Sequence, residues 1–249
     1  MMHSTLLIDI GNTALKFCFE EDLSSGQYET LIHGDFNVND LLNGLHKKNT
    51  ISQIALSSVY LEAVTYLISQ WCKDNNVLFV QAESGARYKS LVNAYQTPSE
   101  LGVDRWLSMI AIDELISGAY TVISCGTAVT LDCVDSQGLH MGGVIMPGRD
   151  LMVNSLAQYT IAINGSTGRY DDLAGLSKNT SNAVDAGALL AITGMIEKVL
   201  SKVEMENHQI FITGGNSKII KKNLNLDVEI KLGLVLKGLS IYLRRELSV

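Results

Sequence analysis

Apolar positions along this chain switch repeatedly between a period of two and a period near 3.6. Residues 6–10 are apolar except for Asp9, and a second apolar run begins after Gly11-Asn12-Thr13, so the spacing predicts strand, tight turn, strand. Residues 28–34 and 51–57 read as further strands, with a short helix at 40–46 between them. Leu61, Val64, Leu67, Ile68 and Trp71 recur at helical spacing over 60–72, and 77–80 is another strand. Residues 82–99 have no period, which is long for a connection and marks a candidate binding loop before an amphipathic helix at 100–116.

The pattern then restarts. A strand at 120–124 runs into Cys125-Gly126-Thr127, strands follow at 128–134 and 139–146, and Pro147-Gly148 closes the series. Helices are expected at 149–157 and 180–204, separated by a Gly- and Ser-rich loop over 164–179. A strand at 209–213, Gly214-Gly215, a helix, a short strand at 228–230 and a C-terminal helix at 232–247 complete the chain. Two halves with one order of elements imply an internal duplication, 1–117 and 118–249. Each is an α/β half with a mixed sheet flanked by helices, and a central cleft between them is the expected place for ligands.

Composition narrows the partners. A chain of 249 residues with 47% hydrophobic residues supplies a sizeable core. A net charge of −7 disfavours a nucleic-acid backbone as partner, because such binders concentrate Lys and Arg to displace counterions, so a small molecule is expected. Neither a basic leader nor a membrane-spanning apolar run is present in the sequence, and the expected location is the cytoplasm with no membrane partner. Cys18, Cys72, Cys125 and Cys133 are scattered in apolar surroundings and read as buried thiols. The five histidines fall singly, without metal-site spacing.

The candidate chemistry lies in the turns and in one charged pair. Gly11 removes a side chain where a phosphate would meet the backbone, Asn12 and Thr13 are turn-forming donors, Lys16 adds a positive charge, and Asp9 suits Mg²⁺. A plain hairpin with an acid near its tip satisfies the same residues. Asp104-Arg105, opening the 100–116 helix, reads either as a first-turn acid favoured by the helix dipole or as a base for a substrate hydroxyl beside a cation for an anionic group. No GxxxxGK[ST] or GxGxxG motif occurs. Thr213-Gly214-Gly215 would let a base or ribose lie against the backbone, although such a pair is also an ordinary strand-to-helix turn.

Taken together, DIGNTALK, LGVDRW, SCGTAVTLD, GGVIMPG and GLSKNT closely resemble, in order and spacing, the type III pantothenate kinases. These are members of the acetate and sugar kinase/Hsp70/actin superfamily, and the resemblance covers nearly the whole chain. It implies duplicated actin-like (ribonuclease H-like) halves and ATP-dependent phosphorylation of the 4′-hydroxyl of pantothenate. It further implies a homodimer using Mg²⁺ and a monovalent cation, K⁺ or NH₄⁺. By the same resemblance, Asp9, Ile10, Gly11, Asn12, Thr13, Ala14, Leu15 and Lys16 form the ATP phosphate loop, joined by Thr127. Asp104 is the proton acceptor, and Gly102, Val103, Asp104 and Arg105 belong to the pantothenate site with Tyr95 and Thr180.

One position departs from the family. Ser124 stands where these kinases usually carry the Asp that holds the monovalent cation, and it offers oxygen without charge. Asp132 compensates only if its strand points it inward. The expectation is an active kinase. The alternatives are a kinase for another small hydroxyl substrate and a non-catalytic regulatory relative on the same fold.

Overall fold

The expected strand pairs at 6–16 and 120–134 each open a five-stranded sheet in the computed structural model, which describes residues 4–160, 176–203 and 207–246. In chain order the elements are β1 (Ser4–Ile10), β2 (Ala14–Phe19), a 3₁₀ turn (Glu20–Ser25), β3 (Glu29–Ile32), α1 (Val38–Lys48), β4 (Ile51–Ser58) and α2 (Glu62–Asp74). Then come β5 (Leu78–Gln81), β6 (Arg87–Tyr88), β7 (Leu91–Val92), a 3₁₀ turn (Pro98–Glu100) and α3 (Val103–Asp113). The remainder is β8 (Tyr120–Cys125), β9 (Ala128–Val134), β10 (His140–Pro147), α4 (Arg149–Tyr159), α5 (Thr180–Leu200), β11 (Gln209–Thr213), α6 (Ser217–Lys222), β12 (Glu229–Ile230) and α7 (Leu234–Glu246). Part of the 164–179 loop, Glu204 and Leu247 lie outside the described residues.

The two sheets have one topology. The first runs β3-β2-β1-β4-β5 and the second β10-β9-β8-β11-β12. In both, the opening hairpins are antiparallel, while the later strands join in parallel after helical crossovers. The duplication read from the sequence is therefore present strand for strand. The chain divides into Met1–Ile116 with Gly233–Val249, and Ser117–Leu232.

That division corrects the expected 118–249 half, because α7 returns to the first unit. It buries Leu234, Leu236, Leu239 and Leu243, and its Ser240 Oγ and Arg244 guanidinium donate to Glu20 Oε1 at 2.5 and 3.0 Å. Gly238 lets α7 cross α3 at backbone distance: a Cβ there would stand 1.9 Å from the Leu107 carbonyl oxygen. The first sheet is thus covered on both faces. Leu6, Ile8, Ile10, Leu15 and Phe17 pack with Leu42, Leu45, Ile68 and Trp71 of α1 and α2, while Leu7 and Asp9 look the other way, toward the side on which α3 and α7 lie against the sheet.

Boundaries moved for local reasons. α1 begins at Val38 because the Asn37 side chain accepts the Asn39 and Asp40 N–H groups at 2.9 and 3.2 Å, capping the first turn. β3 stops at Ile32, short of the expected residue 34. There the Asp35 N–H turns back to the Ile32 carbonyl, through Gly34 at φ +94°. The aperiodic 82–99 stretch contains the two-residue hairpin β6–β7, too short for any hydrophobic period to register. In the second unit, Ile123, Leu131 and Cys133 pack against Leu189, Ile192 and Ile196 of α5. All four cysteines are free and buried, and burial pushes the thiols of Cys18 and Cys72 up to about 11 and that of Cys125 to about 12.

Two glycine substitutions test this packing. Gly238→Ala is expected to cost about 3 kcal/mol in urea unfolding, since the clash is with backbone. Gly44→Ala, on α1 with open space around it, is expected to add about 0.5–1 kcal/mol through helix propensity. Equal effects of the two would refute the close α3–α7 crossing.

Candidate active site

β1 delivers one carboxylate into an otherwise apolar strand. Asp9 is only 6% exposed, sits opposite Lys16 of β2 and Ser57 of β4 in the sheet register, and accepts a 3.1 Å hydrogen bond from the Ser57 hydroxyl. Burial raises its pKa from 3.8 to about 6; the charge of Asp104 pushes the same way, and Lys16 and Ser57 oppose. Two carboxylates from separate elements of this unit therefore share one electrostatic field.

The turn after Asp9 is pinned at both ends. The Gly11 N–H donates to the Ala14 carbonyl at 3.0 Å, the His33 N–H to the Thr13 carbonyl at 3.1 Å, and His33 Nε2 to the Gly11 carbonyl at 2.7 Å. The His33 ring stacks on Tyr60 with centroids 4.1 Å apart. Asn12 and Thr13 are left exposed at the tip. Within 9–16, Ile10 and Leu15 turn their side chains into the core, so they can serve a ligand through backbone alone.

The start of α3 supplies the other groups. Gly102 precedes its first turn, and a Cβ on it would come within 2.7 Å of Asp104 Oδ1, which accepts the Arg105 N–H at 2.9 Å. Val103 is buried. Arg105, 5% exposed, donates from its guanidinium to the Tyr95 hydroxyl at 3.0 Å, with the Tyr95 ring centroid 5.7 Å from its central carbon. The first unit thus gathers Asp9, Lys16 and Asp104 in one field and joins Arg105 to Tyr95 directly.

The second unit builds the matching turn without the acid. The Gly126 N–H donates to the Ala128 carbonyl at 3.0 Å, and the Gly148 N–H to the Thr127 carbonyl at 2.8 Å. A Cβ on Gly148 would fall 2.3 Å from the Gly126 oxygen, and one on Gly214, at φ +95°, 2.4 Å from the Cys125 oxygen, so three segments meet there at backbone distance. Thr127 is exposed at the tip. Ser124 is half-buried between Thr130 and Thr213. Asp132 does point inward, yet its carboxylate is paired with His140 Nε2 at 2.9 Å. Thr180 opens α5 behind the Asn179 cap and lines an apolar groove of about 460 Å³ with Met152, Leu156 and Val184. The groove's helices are tied by a buried ion pair, Arg149 to Asp185 at 3.3 Å.

Sequence reasoning missed Ser57, the His33 brace on the turn and the Arg149–Asp185 pair. Ser57 alone left a local trace, as the polar end of an apolar strand.

A mixed sheet of this order built twice, with an acidic turn after the first strand and no P-loop, defines an actin-like fold, on which function is decided by the site rather than by the topology. Solved structures agree on the fold. A Baf family protein from Campylobacter jejuni superposes with a TM-score of 0.62 at 20% identity, covering 98% of this chain and 100% of that one. An inorganic polyphosphate/ATP-glucomannokinase from Arthrobacter sp. strain KM gives 0.51 at 12% identity over 98% and 100%. The chain belongs to the type III pantothenate kinase family, whose model matches residues 5–202. Relatives of that name from Acinetobacter baumannii (strain ACICU) and Nitrosococcus oceani are 33% and 30% identical. The first alignment covers 96% of this chain and 97% of the relative, the second 94% and 92%.

Asp9 carries a stability prediction. Its folded pKa lies above the unfolded value, so the fold binds the extra proton between pH 4 and 6, and stability falls as pH rises through that window. Without nucleotide or Mg²⁺, Asp9→Asn is expected to melt higher than wild type at pH 7.5, by up to about 3 kcal/mol, and to lose that advantage below pH 4. A variant less stable at pH 7.5 would contradict this electrostatic account.

Proposed function

We propose that this chain transfers the γ-phosphoryl group of ATP to the 4′-hydroxyl of pantothenate, giving 4′-phosphopantothenate and ADP, the first step of coenzyme A biosynthesis. Membership of the family supports the reaction class and its substrates. The observation that carries the reading to these residues is the field shared by Asp9 and Asp104, with Arg105 and Tyr95 joined beside them.

Phosphoryl transfer has a loose transition state, so catalysis rests on placement and charge neutralisation rather than on a strong base. In this reading Asp104 orients the acceptor hydroxyl and takes its proton late, so an ordinary carboxylate suffices. Arg105 and Tyr95 hold the anionic end of pantothenate, with Gly102 and Val103 shaping the approach. The Asp9–Lys16 turn takes the phosphates through backbone N–H groups and Lys16.

Asp9 fits Mg²⁺ as a buried carboxylate whose ionised form gains from a cation. When bound, Mg²⁺ neutralises the charge of the transferred phosphoryl group. The monovalent site lacks the carboxylate usual in the family: Ser124, between Thr130 and Thr213, offers a hydroxyl without charge, and Asp132 is engaged by His140.

The homodimer expected for the family is supported by apolar side chains on α4 and α5. Leu151, Leu156, Tyr159 and Leu190 are exposed beside the groove that Thr180 lines, and a second copy is the proposed cover. No described helix is long and apolar enough to cross a membrane, and a cytoplasmic location suits a kinase of soluble metabolites.

Steady-state kinetics separate the roles. Asp104→Asn is expected to lower kcat by at least about 100-fold while nucleotide still binds. Arg105→Ala should raise KM for pantothenate at least about tenfold and leave KM for ATP almost unchanged. Unchanged turnover in the first variant, or equal KM effects in the second, would remove those assignments. Replacing Na⁺ by K⁺ should change wild-type turnover by no more than about two-fold; strong activation by K⁺ would mean that a site exists despite Ser124.

A further inference from the structure

One side chain holds the 82–99 segment together. Asn93, buried at the exit of β7, uses its whole carboxamide: Nδ2 donates to the Gly85 carbonyl at 3.1 Å and to the Pro98 carbonyl at 3.2 Å, and Oδ1 accepts the Tyr95 N–H at 3.0 Å. Its own N–H donates to the Ala86 carbonyl at 3.0 Å. Both ends of the loop are thus tied to the residue two positions before Tyr95. Two donors and one acceptor in a plane suit an amide; a carboxylate or a hydroxyl supplies too few donors. The series continues outward, because the Tyr95 hydroxyl receives the Arg105 guanidinium, and the Arg105 N–H is bound by Asp104 Oδ1.

We propose that Asn93 is the positioning residue of the acceptor site: by fixing Tyr95 it sets the plane in which Arg105 presents its donors to the anionic end of the substrate. A guanidinium pairs well only when its fork is held in the plane of the anion, and Tyr95 holds this one from one side. Asn93 is assigned no contact with the substrate and acts only through Tyr95. The inference rests on the pantothenate reading of the site.

The test is a double-mutant cycle with Tyr95→Phe, read as KM for each substrate, together with amide hydrogen exchange. Asn93→Ala is expected to raise KM for pantothenate about tenfold, equivalent to about 1.4 kcal/mol. KM for ATP should stay near wild type, and exchange over 94–97 should quicken. In the Tyr95→Phe background the same substitution should add less than about two-fold, because the hydroxyl through which it acts is gone. Asn93→Ser serves in the same cycle if the alanine variant does not fold. Equal rises in both KM values, full multiplication of the two effects, or unchanged exchange would overturn the proposal while the kinase reading stands. A folded wild-type chain without pantothenate turnover would remove that reading and this proposal with it.

Discussion

A single buried carboxylate sets the terms for this structure. Asp9 sits at the end of an apolar central strand, where its charge is disfavoured, and its neighbours offset only part of that cost: a hydroxyl from β4 and a cation from β2. The strand cannot slip by one residue, because Asp9 would then enter the cluster formed with α1 and α2 and an apolar residue would face Lys16. In the proposed reading, function here works against stability, because the carboxylate is kept buried for a cation to bind.

The second carboxylate depends on helix packing. Asp104 belongs to the first turn of α3, whose position is set by a crossing with α7 that only glycine at 238 permits. Gly102 leaves the space that the Asp104 carboxylate occupies. The second unit repeats the turn with Gly126, Gly148 and Gly214 at backbone distance but replaces the acid with Ser124. Duplication preserved the backbone turn, while Ser124 and Thr130 stand across the strands where the first unit sets Asp9 opposite Lys16.

Much of this was legible in the chain itself. Periodicity located the central strands and long helices, because Leu6, Ile8 and Ile10 alternate with Leu7 and Asp9, and because Leu61 to Trp71 follow a helical face. The repeated order of strands revealed the duplication, and the motifs placed the family. What escaped depends on distant partners. Ser57 lies 48 residues from the carboxylate it bonds, Ser240 lies 220 from Glu20, and Asn93 works through carbonyls that carry no side-chain signature. The return of α7 to the first unit was hidden for the same reason, since an amphipathic helix shows that it packs but not against what.

The reaction on which every residue role here depends is phosphoryl transfer from ATP to the 4′-hydroxyl of pantothenate. It is tested most directly by identifying the product: wild-type protein, ATP, Mg²⁺ and pantothenate, followed by phosphorus NMR. The account predicts one new phosphate monoester on the 4′-oxygen, formed in equal amount with ADP and absent without pantothenate. ADP formed without pantothenate, or no monoester from protein shown to be folded, would contradict it.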